Sequence, residues 1–359
     1  MNRQAGPERS AGPGPRVPTM TTTSLPTYTP KDFASDQEVR WCPGCGDYAI
    51  LKSVQKALTG LKTKKEDYVF VSGIGCAARF PYYMNTYGLH SIHGRAPAFA
   101  TGIKLANPTL DVWLVSGDGD LLSIGGNHTV HILRRNVDIN ILLLNNRIYG
   151  LTKGQYSPTS EFGKKTKSTP VGSLDYPLNP LALALGVGCT FVARSIDIDL
   201  KHLEQMMIRA ANHRGTTFTE VYQDCNIYNH QSWFYASQKD SRPDNTVLLE
   251  HGKPMIFGAQ RDKGLRWNGT HLEVIHLGGN GASEKDVLVH DESNLAIAFA
   301  LAQLAHPDFP EPLGVLFVDS DRKPYDELVH QQVEEIIQAR GEGDLAALLN
   351  EGDTWIVEE

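Results

Sequence analysis

Val112-Trp113-Leu114-Val115-Ser116 runs into Gly117-Asp118-Gly119-Asp120, and Ile139-Asn140-Ile141-Leu142-Leu143-Leu144 runs into Asn145-Asn146-Arg147-Ile148-Tyr149-Gly150. Both are short apolar stretches that stop abruptly on small and polar residues. A strand buried on both faces reads this way, and such strands belong to parallel sheets covered by helices. The intervening Gly126–Arg135 has helical spacing. Asp118 and Asn146 lie 28 residues apart, one helix and one strand. They are therefore expected side by side at the carboxyl ends of neighbouring strands, where ligands bind in such sheets.

The same alternation extends in both directions. Tyr68–Ser72, Asp111–Ser116, Asp138–Asn145, Thr190–Ala193 and Thr217–Tyr222 read as buried strands. Tyr48–Thr59, Ala96–Leu105, Gly126–Arg135, Asn179–Leu185 and Leu200–Ala211 read as the helices between them. The expectation is an α/β domain over residues 36–229 with a doubly wound, mostly parallel sheet. Residues 1–35 hold six of the 20 prolines among Gly, Ser and Thr, and read as a flexible tail without a secretory apolar region. Met20 is a second candidate start. Residues 230–359 read as a C-terminal extension packed on the main domain. Within it Glu292–Leu304 and Pro324–Ala339 are helical and Leu313–Val318 is a strand.

Composition narrows the function classes. The chain has 359 residues, 34 Lys+Arg against 41 Asp+Glu, and a net charge of −7. That balance argues against nucleic-acid or membrane-surface binding. No apolar run is long enough for a transmembrane helix. With 41% hydrophobic residues the chain can bury a large core. An odd cysteine count, with one Cys-x-x-Cys pair, fits a reduced, cytoplasmic protein with a metal or redox site.

The paired strand ends suit a hard cation bound to a diphosphate. Asp118 offers a charged oxygen, Asn146 a neutral one, and the Ile148 carbonyl completes the protein's share of a Mg²⁺ shell. Gly117 and Gly119 let the backbone approach phosphates, and the Gly119 and Asp120 amides, opening a helix, can donate to them. Gly-Asp-Gly alone is usually only a turn. Together with Asn-Asn at this spacing it is the signature of thiamine diphosphate binding.

Cys42-Pro43-Gly44-Cys45 precedes the first helix, Cys76 follows the strand Tyr68–Ser72, and Cys225 follows Thr217–Tyr222. Four thiolates so placed suit zinc or a [4Fe–4S] cube. The scattered arrangement, unlike paired zinc ribbons, favours iron–sulfur, while small buried thiols without metal are the plain alternative. Cys189, at a strand start, reads as core.

At this point the chain resembles the β subunits of 2-oxoacid:ferredoxin oxidoreductases, most closely the 2-oxoglutarate (KorB-like) members. The residues that carry the likeness are Trp41-Cys42-Pro43-Gly44-Cys45-Gly46-Asp47-Tyr48, Gly73-Ile74-Gly75-Cys76, His93-Gly94-Arg95-Ala96, Gly117-Asp118-Gly119-Asp120 and Asn145-Asn146 through Gln155. The resemblance covers about residues 35 to 310. It implies the thiamine-diphosphate-binding (PP-type) fold. It implies that Cys42, Cys45, Cys76 and Cys225 ligate one [4Fe–4S] cluster, and that Asp118, Asn146 and the Ile148 carbonyl hold Mg²⁺. It places further cofactor contacts at Ile74, Gly75, Cys76, Ala77, His93, Gly117, Gly119, Asp120, Gly150 and Leu151. It also implies an obligate subunit. The glutamate that activates the cofactor comes from a separate α (or fused γα) chain in an α₂β₂ assembly. The activity implied is CoA-dependent oxidative decarboxylation of 2-oxoglutarate to succinyl-CoA and CO₂, with electrons passed to ferredoxin.

For catalysis the candidates are His93 and Arg79, three residues after Cys76. A guanidinium there could hold a distal carboxylate bidentately, which fits 2-oxoglutarate better than pyruvate. It could equally pair with an acidic side chain or contact CoA. Arg95, Lys104, Lys153 and Gln155 are weaker candidates, and Gly150–Ser160 reads as an ordered active-site loop. The alternatives are a pyruvate or other 2-oxoacid enzyme, a non-oxidative thiamine diphosphate decarboxylase or synthase, and a non-catalytic electron-transfer module. The last would not need Asp118 and Asn146.

Overall fold

A computed structural model describes residues 26–278, 282–355 and 357. The strands are Tyr68–Ser72 (β1), Tyr87–His90 (β2), Asp111–Gly117 (β3), Asn140–Asn145 (β4), Phe191–Ile196 (β5), Thr217–Tyr222 (β6), Thr246–Leu249 (β7), Ile256–Phe257 (β8), Lys263–Trp267 (β9), Leu272–His276 (β10) and Glu311–Val318 (β11). Five α-helices cover the sheet among the described residues up to 222: Asp47–Leu58 (α1), Ala96–Ala106 (α2), Gly126–Arg135 (α3), Pro180–Gly186 (α4) and Leu200–Ala211 (α5).

The main sheet has eight strands in the order β2-β1-β3-β4-β6-β5-β11-β7. The first six are parallel, as the uninterrupted apolar runs require. Alternate residues of each run face opposite sides. Tyr68, Phe70, Trp113, Leu142 and Leu144 pack under α1 and α5. Val69, Val71, Leu114, Ile141 and Leu143 pack with residues of α2, α3 and α4 on the other side. Side-chain caps set two of the helix starts: Asn179 accepts from the Ala182 amide at 3.0 Å, and Asp199 from His202 at 3.2 Å.

Three features depart from the sequence reading. First, the extension is not merely packed on the domain. β11 pairs antiparallel with β5, and β7 pairs with β11, so residues beyond 229 complete the same sheet. Among the described residues, β8, β9 and β10 form a separate small sheet. A buried charge network ties the added strands in. Arg194 on β5 bonds Glu220 on β6 at 2.8 Å and Glu311 on β11 at 2.7 Å. Second, β2 has no apolar signal because it is an exposed edge strand. Third, the expected tail ends early. Residues 1–25 lie outside the described part, but Phe33 is fully buried, edge-on to Tyr28 and Tyr68, and the Tyr28 hydroxyl accepts from the Lys65 amide. One large aromatic ring inserted beside β1, with half-buried Tyr28 against it, anchors residues 28–33 to the core although residues 29–32 stay exposed. The expected strand starting at Asp138 begins at Asn140 instead, and the one ending at Ala193 runs on to Ile196.

Phe33→Ala should therefore destabilise the chain by about 3–5 kcal/mol, read from urea unfolding. A truly flexible segment would show no change.

Candidate functional site

Loops after β1, β2, β3, β4 and β6 gather at one edge of the sheet. Every residue expected to touch the cofactor, from Ile74 to Leu151, lines one cleft there, together with Ile148, Tyr149 and Thr152. The chain turns helical directly after Gly117, and a π-turn over Asp120–Ile124 precedes α3. Gly119 and Asp120 thus stand at a helix start in the cleft lining, a position that attracts anions.

Asp118 is almost fully buried, and Oδ2 accepts from Ser157 Oγ and Thr159 Oγ1, both at 2.5 Å. Burial pushes its carboxyl up to about 6, against the pull of these two hydroxyls. Asn146 Oδ1 accepts from the Ile148 amide at 3.1 Å, and its Nδ2 donates to Gln223 Oε1 at 2.8 Å. The Ile148 carbonyl takes no hydrogen bond from a described residue. A buried carboxylate short of positive charge, an amide oxygen and an unpartnered carbonyl are the donor set of a hard divalent cation. Asn145, the other half of the pair, faces inward: it accepts from Thr159 at 2.9 Å and donates to Glu220 at 2.7 Å.

The neighbouring Asp120 does different work. Its Oδ1 accepts from the amides of Ile74 (3.0 Å) and Gly94 (2.7 Å) and from His93 Nδ1 (2.5 Å), while Oδ2 accepts from Ser116 Oγ at 2.6 Å. One carboxylate therefore knots the ends of β1, β2 and β3. What it leaves for a cleft ligand is its backbone amide. An oxygen already taking two amide bonds is an acceptor, so His93 donates through Nδ1 and keeps Nε2 for the cleft. Gly73 is required here, because a Cβ would lie 2.0 Å from Asp120 Oδ2.

Cys42, Cys45, Cys76 and Cys225 come from three loops that are tied together. The Gly46 amide donates to the Asp224 carbonyl at 3.1 Å, Asn226 Nδ2 to Pro43 O at 2.6 Å, and Trp41 Nε1 to Cys76 O at 2.8 Å. Burial, then the Asp47 carboxylate and the other thiols, push Cys76 up to about 12, and burial raises Cys45 and Cys225 as well. Thiols that raise one another this way fit a cationic group that would neutralise them together. Among the described residues no three His, Cys, Asp or Glu side chains converge tightly enough for a single ion. Gly150 abuts this set and also lines the cleft: a Cβ on it would sit 3.4 Å from Cys225 Sγ and 3.7 Å from Cys76 Sγ. Cys189 is buried in the apolar core, as expected.

Other candidates fall elsewhere. Arg79 is half-buried outside the cleft lining and has no acidic partner within 4.0 Å among the described residues. Lys104 is structural, buried with Asp138 at 2.8 Å and the Leu110 carbonyl at 2.9 Å. Arg95 donates to Ile124 O, and Gln155 bonds Thr152. Asn145 belongs to the Asn-Asn pair, and Ser157 and Thr159 to the expected Gly150–Ser160 loop, but none of the three was given a role from the sequence, and Gln223 was not singled out at all. The available signal for Gln223 was its position directly after β6.

Residues 73–221 match the family model for the thiamine pyrophosphate enzyme, C-terminal TPP binding domain. The chain is 50% identical over 332 residues to 2-oxoglutarate oxidoreductase subunit KorB of Mycobacterium tuberculosis, covering 91% of this chain and 88% of that one. It is 43% identical over 220 residues to 2-oxoglutarate synthase subunit KorB of Methanocaldococcus jannaschii, covering 60% and 81% of the two. Among solved structures it matches 2-oxoglutarate:ferredoxin oxidoreductase from Magnetococcus marinus with 2-oxoglutarate, coenzyme A and succinyl-CoA bound. That match has a TM-score of 0.73 and 30% identity, covering 92% of this chain and 98% of that one.

The raised Asp118 carboxyl makes a signed prediction. The folded chain holds a proton there that the unfolded chain releases at lower pH. Without cofactor, stability therefore falls as pH rises from about 4 to 6, and the full cost persists above 6. Asp118→Asn should stabilise the cofactor-free chain above pH 6 by at most about 3 kcal/mol and not below pH 4. The same substitution should abolish Mg²⁺-dependent thiamine diphosphate binding. Denaturant titrations across pH and a cofactor binding assay check both halves.

Proposed function

The chain belongs to the β subunits of the 2-oxoacid:ferredoxin oxidoreductases, and from that membership we propose that it is the thiamine-diphosphate-holding subunit of a 2-oxoglutarate enzyme. Its reaction is the CoA-dependent oxidative decarboxylation of 2-oxoglutarate to succinyl-CoA and CO₂, with ferredoxin as the electron acceptor. The observation that carries the reading is Gly150. Gly150 lines the cofactor cleft, as does Cys76 itself, and a Cβ on it would abut the Cys225 and Cys76 sulfurs, so a cluster held by these cysteines would adjoin a cofactor held in the cleft.

When bound, thiamine diphosphate supplies the nucleophilic carbon and electron sink, and a [4Fe–4S] cluster the one-electron exit. The chain's own residues do the rest. Asp118, Asn146 and the Ile148 carbonyl would hold Mg²⁺, with Ser157 and Thr159 fixing the Asp118 carboxylate. The Gly119 and Asp120 amides would receive the diphosphate at the helix start. Cys42, Cys45, Cys76 and Cys225 would ligate the cluster. His93, oriented by Asp120, presents Nε2 as a proton donor or acceptor to the reacting region. Arg79 lies three residues after Cys76 and has no acidic partner within 4.0 Å among the described residues. It is our candidate for binding the distal carboxylate of 2-oxoglutarate.

The subunit acts with an α partner, which completes the site in an α₂β₂ assembly. Two aspartates, Asp118 and Asp120, line the cleft with His93, and no glutamate does among the described residues. A separate chain supplying that group is consistent with this lining. No described helix is long and apolar enough to cross a membrane. We place the enzyme in the cytoplasm.

Anaerobically purified complex should contain iron and acid-labile sulfide, and should reduce viologen with 2-oxoglutarate only when CoA is present. Absence of iron would place the chain among non-oxidative thiamine enzymes instead. Arg79→Leu should lower kcat/KM for 2-oxoglutarate by about tenfold to a hundredfold, as loss of a charged contact demands, and leave pyruvate turnover nearly unaltered. Full-rate 2-oxoglutarate turnover in that variant would refute the carboxylate role.

A further inference from the structure

Gln223, the residue after β6, lies between the cation donors and the cysteines. Its side chain is buried, with 1% of the residue exposed. Nε2 donates to the Asp224 carbonyl at 2.7 Å and to Cys45 Sγ at 3.2 Å, and Oε1 accepts from Asn146 Nδ2 at 2.8 Å. Its backbone N–H donates to the Asn145 carbonyl at 3.0 Å, extending the β4–β6 ladder by one residue. Every polar atom of the side chain is thus engaged.

The polarity of this chain of bonds is fixed at both ends by backbone groups that cannot reverse. The Asp224 carbonyl only accepts, so the nitrogen of Gln223 must face it. The Ile148 amide only donates, so the oxygen of Asn146 must face it. A reversed Gln223 would oppose two carbonyl oxygens, and a reversed Asn146 would oppose two N–H donors. Buried polar groups do not tolerate either. Asn146 is therefore held with its oxygen on the Ile148 side, among the groups that would take a cation, and an N–H is aimed at the Cys45 sulfur.

We infer that Gln223 is a positioning residue for both sites at once: it fixes Asn146 oxygen-first toward the cation and raises the reduction potential of the cluster by donating to Cys45. The inference rests on the function proposed above. The electrostatic reason is direct. A donor's positive end at a ligating thiolate stabilises the more negative, reduced state, and hydrogen bonds to the sulfurs are a principal lever on cluster potential. Because one amide makes both contacts, the two sites share a single rigid group. Its removal is felt on both sides.

The test uses the complex with its α subunit, purified anaerobically, and two substitutions. Q223L removes both contacts, whereas Q223E keeps an acceptor for Asn146 and removes the donor to Cys45. Three quantities are read: iron content, cluster midpoint potential by EPR-monitored redox titration, and thiamine diphosphate affinity with Mg²⁺ by equilibrium dialysis. In Q223L the potential should move negative and the affinity fall by about tenfold, the effect of losing one buried hydrogen bond. In Q223E the potential should also move negative, while the affinity stays within about threefold of wild type. If Q223L cannot retain the cluster, Q223E decides the potential. Wild-type potentials with full iron content, or a Q223L affinity equal to wild type, overturn the inference. A wild-type complex that contains no iron overturns the function proposed above instead, so the two failures are distinguishable.

Discussion

A single buried carboxylate holds the working edge of this sheet together. Asp120 takes three hydrogen bonds on one oxygen and one on the other, from residues that end β1, follow β2 and end β3. Without it the amides of Ile74 and Gly94 would be left without this acceptor, and the His93 ring would lose the hydrogen bond that orients it. The demand explains the local sequence. Gly73 has no room for a side chain, and Gly94 and Gly125 approach so closely that a Cβ on Gly94 would lie 2.5 Å from the Gly125 nitrogen. Glycine is needed at these places because three chain segments converge on one carboxylate.

Asp118, two residues earlier, shows the complementary arrangement. The strand-to-helix turn sends Asp120 into the fold and Asp118 toward the cleft. Two hydroxyls from the loop after β4 then hold Asp118 from behind. The same Thr159 reaches Asn145, which reaches Glu220, which pairs with Arg194. The cleft is therefore continuous with the buried ion network that binds β5, β6 and β11. Partly satisfied networks of this kind are costly, and fully satisfied ones fix geometry.

The parts legible in the sequence are those set by local pattern. Apolar runs of five or six residues gave β1 and β6 their observed ends, and helical spacing did the same for α3 and α5. Asp118 and Asn146 stood out because charge and amide groups followed strands, and the cysteines because their spacing is chemically suggestive. What stayed hidden depends on tertiary closure. Ser157 and Thr159 are ordinary hydroxyls until the loop folds back onto Asp118. Gln223 gains meaning only when β6 sits beside β4. Asp120 resembles a ligand contact in sequence and proves to be mostly scaffold. Phe33 lay in proline-rich sequence, where composition outweighed one aromatic residue, and β7 and β11 gave no hint that they join the main sheet.

The late position of β11 also imposes an order on synthesis. β5 and β6 are complete by residue 222, but the strand that covers β5's free edge begins at residue 311. Through that interval the emerging chain carries an unpaired edge, and Arg194 has Glu220 but lacks Glu311. An open edge beside a half-compensated buried charge invites pairing with other chains. The ribosome must therefore deliver the chain through β11 before this subunit can close its sheet.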